Sequence, residues 1–196
     1  MGVGSLLLLG LFVFPLWKIL LGAPQYPEPI GLYIHIDGLQ DVNPHDIKNI
    51  DIMNHYIGMK PLPTPDEMWE FSVFPIVILG MSALGLLIAF LGYFKKVGPW
   101  AFMAWFVLMS ILGIAGMYDF NLWLIDYGSN LDPHAMIKVV DTSSGAPMTY
   151  KPPLFGYQKL LNFDVYSYPS TGGYAMFVGM AAIFLSYFVG KRAKSA

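Results

Sequence analysis

The chain has 196 residues, of which 56% are hydrophobic and 12% charged. A soluble domain averages about 25% charged residues, and a chain surrounded by water needs a polar surface, so the deficit points to a surface that faces lipid. There is no cysteine, which excludes disulfides, c-type haem attachment, Cys-ligated iron–sulfur clusters and thiolate zinc sites. A net charge of -2 without any basic run gives no footing for a nucleic-acid partner.

Taken in chain order, four apolar stretches approach the roughly 20 residues that a helix needs to cross a bilayer. They predict spans within residues 1–22, 71–95, 98–118 and 173–190. Between them lie a polar loop at 23–70 and a second at 119–172, and a short tail follows at 191–196. The expected fold is therefore an all-α membrane protein: four transmembrane helices under a small mixed cap built from two extracytoplasmic loops. The first stretch lacks a basic segment ahead of it and is interrupted by Lys18, so it reads as a retained anchor rather than a cleaved signal. Pro15 is expected to kink that helix, and Lys18 to reach the headgroups.

Basic residues set the expected orientation. Lys95 and Lys96 occupy the turn after the second span, and Lys191, Arg192 and Lys194 follow the fourth. The loop at 23–70 instead carries Glu28, Asp37, Asp41, Asp46, Asp51, Asp66 and Glu67 against Lys48 and Lys60. This asymmetry places both termini in the cytoplasm and both loops outside, across a bacterial inner membrane. Small residues recur four apart, as at Gly85 and Ala89, Ala175 and Gly179, and Ala182, Ser186 and Gly190. Such rows let helices approach closely, within this bundle or against another membrane subunit.

The spans hold no Asp, Glu, His or Arg well inside them. Proton and ion pathways need such groups, and a haem in the bilayer needs axial histidines, so the helices read as a scaffold and the loops as the place for function. In the first loop, Leu32, Ile34 and Ile36 alternate with Tyr33, His35 and Asp37, the period of a strand. Asn43-Pro44 then signals the start of a helix running to about Tyr56, with Gly58 as its left-handed cap. The two loops are expected to pack together.

All four histidines lie in the loops, with Met53, Met59, Met136 and Met148. Imidazole and thioether suit copper, and thioether favours Cu(I). His55 precedes Met59 by four residues and follows Met53 by two; His134 precedes Met136 by two. His55, Met59, Met53 and His134 are therefore candidate copper ligands. The plainer alternatives are core packing for the methionines, a backbone hydrogen bond for His55 and a turn cap for His134.

Several segments together resemble a known family. These are Ala23-Pro24-Gln25-Tyr26-Pro27, Asn54-His55-Tyr56-Ile57-Gly58-Met59, Asp126-Tyr127-Gly128 with Leu131-Asp132-Pro133, and Tyr150-Lys151-Pro152-Pro153-Leu154 with Leu160-Leu161-Asn162-Phe163. They resemble the NosB-like small four-span membrane proteins encoded beside atypical (clade II) nitrous oxide reductases. The resemblance implies a non-catalytic accessory role in nitrous oxide respiration, docking or helping to mature a periplasmic copper enzyme or its assembly factor, with transient Cu(I) binding as an option. Two other readings stand beside it. One is a structural subunit of a larger membrane respiratory or monooxygenase complex. The other is a quinol-linked electron-transfer component, although no nucleophile–base set, phosphate loop or haem motif is present.

Overall fold

A computed structural model describes residues 1–137 and 149–195. The fold is mixed rather than all-α: helices form a membrane-type bundle, and a five-stranded antiparallel sheet forms a lobe at one end of it. Three helices are long and apolar enough to cross a membrane: α3 (Trp69–Tyr93), α4 (Trp100–Ser129) and α5 (Thr171–Ser195). The four-span expectation fails in the first segment.

That segment breaks into two unlike pieces. Residues Gly2–Leu9 form α1, extended by a single 3-10 turn at Gly10–Phe12, and Trp17–Gly22 form strand β1. The helical part rises only about 18 Å, against roughly 30 Å of hydrocarbon. Pro15 does not kink a continuous helix. It follows the point where the helix has already ended, and the residue before a proline is biased towards extended geometry. Lys18 is therefore a strand residue and not a headgroup anchor on a helix.

α1 still packs in the bundle, antiparallel to α3 and α5. A Cβ on Gly2 would stand 3.8 Å from Ala89, and one on Gly4 would clash with Ile183 and the Gly179 carbonyl. Its Leu8 and Leu11 join Ile78, Met81, Trp105, Met109 and Ile183 in one buried cluster. Trp105 Nε1 donates to the Met81 carbonyl at 3.0 Å, tying α4 to α3 inside that cluster. The small-residue rows are used within the chain: Gly85 faces Ser5 and Trp105, Gly179 faces Gly4, and Gly190 faces Pro99.

The sheet order is β3-β2-β1-β5-β4, with β2 at Ile30–Ile34, β3 at Leu39–Asp41, β4 at Gly156–Leu160 and β5 at Phe163–Pro169. β1 is central, pairing with β2 (Ile19↔Leu32) on one side and with β5 (Ile19↔Ser167) on the other. One face carries Trp17, Ile19, Ile30, Leu32 and Val165, and these build the lobe's core with Ile50, Met59, Leu62, Leu124, Tyr127 and Tyr150. Helix α2 (Asp46–Ile57) contributes Ile50, and Leu124 and Tyr127 come from the last turns of α4. That helix thus ends at Ser129, well past the predicted limit of 118. Its end leaves the bundle to become a wall of the lobe. Gly128 permits this: its carbonyl accepts from Tyr150 N at 2.8 Å, and a Cβ there would overlap the backbone of Lys151.

Two sequence expectations shift locally. Ile36 does not extend the β2 face; it sits in the β2–β3 turn at 2% exposure and packs into the helical cluster, pinning the lobe to the bundle. α2 begins two residues later than Asn43-Pro44 suggests. Its N-cap is His45 in the left-handed region, φ 71°, and Gly58 closes it, also left-handed at φ 80°.

Candidate functional site

The four candidate copper ligands sit in different environments. His55 is exposed on the outer side of α2, in a shallow groove with Ile47, Lys48, Asp51, Ile52 and Tyr56. Met53 and Met59 point the other way, into the lobe's interior, where they line a cavity between α2, the sheet and α4. His134 is exposed, with Nδ1 3.3 Å from Asp132 Oδ1. As arranged, the two imidazoles and the two thioethers do not share one coordination sphere. Met148 lies outside the described residues, and Met136 is exposed.

The remaining histidines are also dispersed. His45 opens α2 and His55 lies ten residues further along it, about 15 Å away along the axis. His35 is in the β2–β3 turn beside the bundle, its Nε2 buried without a partner. Among the described residues no group of three or more His, Asp or Glu could hold a metal ion.

Part of the acidic character of the loops is taken up inside the lobe, while Glu28, Asp37, Asp66 and Glu67 stay exposed. Asp46 is 2% exposed, and its Oδ2 accepts from Gly31 N and Asn43 N, both at 2.9 Å. Asp41 accepts from Ile47 N at 2.6 Å at the start of α2, and Asp51 from Leu62 N at 2.7 Å. Asp126 pairs with Lys60 at 3.1 Å. Asp41, Asp46 and Asp51 thus fasten backbone, and Asp126 is neutralised by a side chain. At Thr64, the backbone N–H and the hydroxyl both donate to Glu67 Oε2, at 2.7 and 2.9 Å, and hold that carboxyl below its ordinary range.

The surface with most recognition chemistry is the second face of the sheet. Strand alternation places Lys18, Leu20, Tyr33, Gln40, Asp164, Tyr166, Tyr168, Tyr157 and Lys159 on it. The core helix α2 packs on the opposite face. Cross-strand neighbours form two rows: Gln40–Tyr33–Lys18–Tyr168 and Gly31–Leu20–Tyr166–Tyr157. Tyr157 is 53% exposed and Tyr166 37%, with ring centroids 5.1 Å apart. Phe155, 65% exposed, packs on Tyr168 at 5.4 Å. Tyr157 Oη donates to Asp164 Oδ1 at 2.6 Å; that hydrogen bond, followed by burial and the nearby negative charge, holds the phenol above its ordinary value.

Sequence reasoning passed over this face. Its residues come from all five strands, and three of them, β1, β4 and β5, belong to stretches read as a membrane helix or as irregular loop. The alternation Phe163-Asp164-Val165-Tyr166-Ser167-Tyr168 was the available signal, since period two marks a half-buried strand. Neither any known family model nor any curated protein sequence matches the chain.

Proposed function

We propose that this chain is a membrane-anchored accessory protein whose lobe docks an extracytoplasmic partner, namely a copper enzyme of nitrous oxide respiration or its assembly factor. The observation that supports docking is the tyrosine face. Monomeric proteins seldom leave an aromatic sheet face open, and tyrosine gives a protein interface large, semi-rigid area with a polar tip. The identity of the partner comes from the resemblance carried by the loop segments. Basic residues flanking the turn between α3 and α4, and those ending α5, support an outward lobe. The face itself carries Lys18 and Lys159 with Asp164 engaged by Tyr157, so it does not select a basic partner; shape and aromatic contact dominate there.

A photo-crosslinking residue at Tyr157 or Tyr166, in cells that make the copper enzyme and its assembly factors, tests this. The expected adduct contains one of those proteins. It should be absent when the probe replaces Ile52 on α2. No such adduct from 157 and 166, or equal yield from 52, overturns the reading.

A second reading has its own observation. Between Met109 and Leu124 no residue of α4 is fully buried; Leu112, Met117, Phe120 and Trp123 pack partly against the two cores, and the opposite side of these turns faces either lipid or another membrane subunit. Purification in a mild detergent separates the two: a stoichiometric membrane partner favours a structural subunit, and a lone chain leaves the surface to lipid.

A further inference from the structure

The cavity that receives Met53 and Met59 has a volume of about 80 Å³. α2 bounds it with Ile50 and Met53, the sheet with Ile19 and Val165, and α4 with Leu124 and Tyr127. Its walls are almost wholly apolar. Among the polar side chains on the wall, which also include Tyr150, Asn54 and Tyr127 answer each other: Asn54 Nδ2 donates to Tyr127 Oη at 2.5 Å. Water in a cavity needs two to four polar partners, and apolar cavities that lack them stay dry.

The void has a structural origin. Tyr127 and Trp123 stack at 4.9 Å with an interplanar angle of 15°, and the Asn54 bond holds the Tyr127 ring against α2. Two fixed flat rings cannot collapse into the space beside them. Interiors normally close to crystal-like density, and lining that lacks partner atoms forfeits dispersion contacts. A small apolar guest would restore those contacts without losing any hydrogen bond.

Size sets the guest. An apolar cavity of roughly 150 Å³ accommodates benzene, with its six carbons; this one, about half as large, fits roughly three heavy atoms. Access follows from α4. Met117, Phe120 and Trp123 pack against the same core, so apolar contact runs unbroken from the helix's bilayer portion to the cavity wall. Small apolar molecules concentrate in the hydrocarbon that α4 crosses.

We propose that the cavity between α2, the sheet and the end of α4 is a binding site for one small, uncharged apolar molecule of about three heavy atoms, reached from the bilayer along α4. This goes beyond the docking role and does not depend on it.

Xenon is a suitable probe, applied under pressure to the full chain in detergent with 13C-labelled methionine methyls. The chain has 12 methionines, of which Met53 and Met59 line the cavity. The expected result is a saturable shift of those two methyls, over non-saturating changes at methionines that face detergent. Leu124→Phe fills the void and should reduce apparent xenon affinity at least tenfold; Met53→Phe serves the same end should Leu124→Phe fail to fold, with Met59 as reporter. Absence of a saturable shift at Met53 and Met59, shifts of equal form across all methionines, or unchanged affinity in the filled variant overturns the proposal.

Discussion

At the scale of single residues, buried carboxylates and tyrosines do most to shape the lobe. Asp46 holds the β2 backbone at Gly31 and the entry to α2 at Asn43 through one oxygen. Asp46→Ala strands two N–H donors away from water, and the expected loss is roughly 2–4 kcal/mol; Asp46→Asn, which keeps an acceptor, should cost less in the same unfolding titration. Two exposed groups contribute to the pH dependence of stability, beside the buried Tyr127 phenol in the lobe, which burial also raises. Glu67 is depressed in the folded chain, so its contribution is full above its ordinary value of 4.5 and lost as pH falls through the folded value. Tyr157 is raised, so its contribution is full below 10.0 and lost as pH rises beyond. A melting-temperature profile should therefore fall at both ends. Asp164→Asn should make the alkaline fall less steep, and Glu67→Gln the acidic fall; unaltered limbs would contradict these assignments. Asp46 could be read as acidic from the sequence, but its burial could not, because the two backbone segments it joins meet only in the fold.

At the scale of elements, the spans α3, α4 and α5 are legible because an apolar stretch of about 18 residues or more has few alternatives. β1 is not legible. Trp17-Lys18-Ile19-Leu20-Leu21 follows an apolar helix without a polar break, and a central strand covered on one face and half-covered on the other reads as a plain apolar run. What makes it a strand is pairing with β2 and, across nearly 150 residues, with β5, where Trp17 Nε1 meets Ser167 Oγ at 2.8 Å. Short α1 depends on glycine contacts with its neighbours. Gly179→Val places a branched side chain against the Gly4 carbonyl and should detach α1 from α5. The expected readout is a lower melting temperature than that of the native chain. An unchanged melting temperature would show that α1 tolerates the bulk.

At the scale of the whole molecule, a bundle and a sheet share their connections: β1 continues from α1, and β5 runs into α5 within two residues. Ile36 adds a third tie by leaving the sheet for the helical cluster. The lobe is thus seated on the helices through short linkers. The native chain has no cysteine, so orientation is testable with single replacements. Tyr157→Cys should react with a membrane-impermeant maleimide added to intact cells, and Lys95→Cys only after permeabilisation; the reverse pattern would place the lobe in the cytoplasm and remove the docking proposal.

The sequence by itself determined three membrane-type helices, the α2 helix and its Gly58 cap, because each follows from local hydropathy or backbone preference. Only the tertiary structure decided that the first apolar stretch divides into a short helix and a central strand. It also decided that Met53 and Met59 turn away from His55, and that four tyrosines gather on one open face. Those outcomes rest on strand pairing between distant segments, a contact energy that no local window of the chain contains.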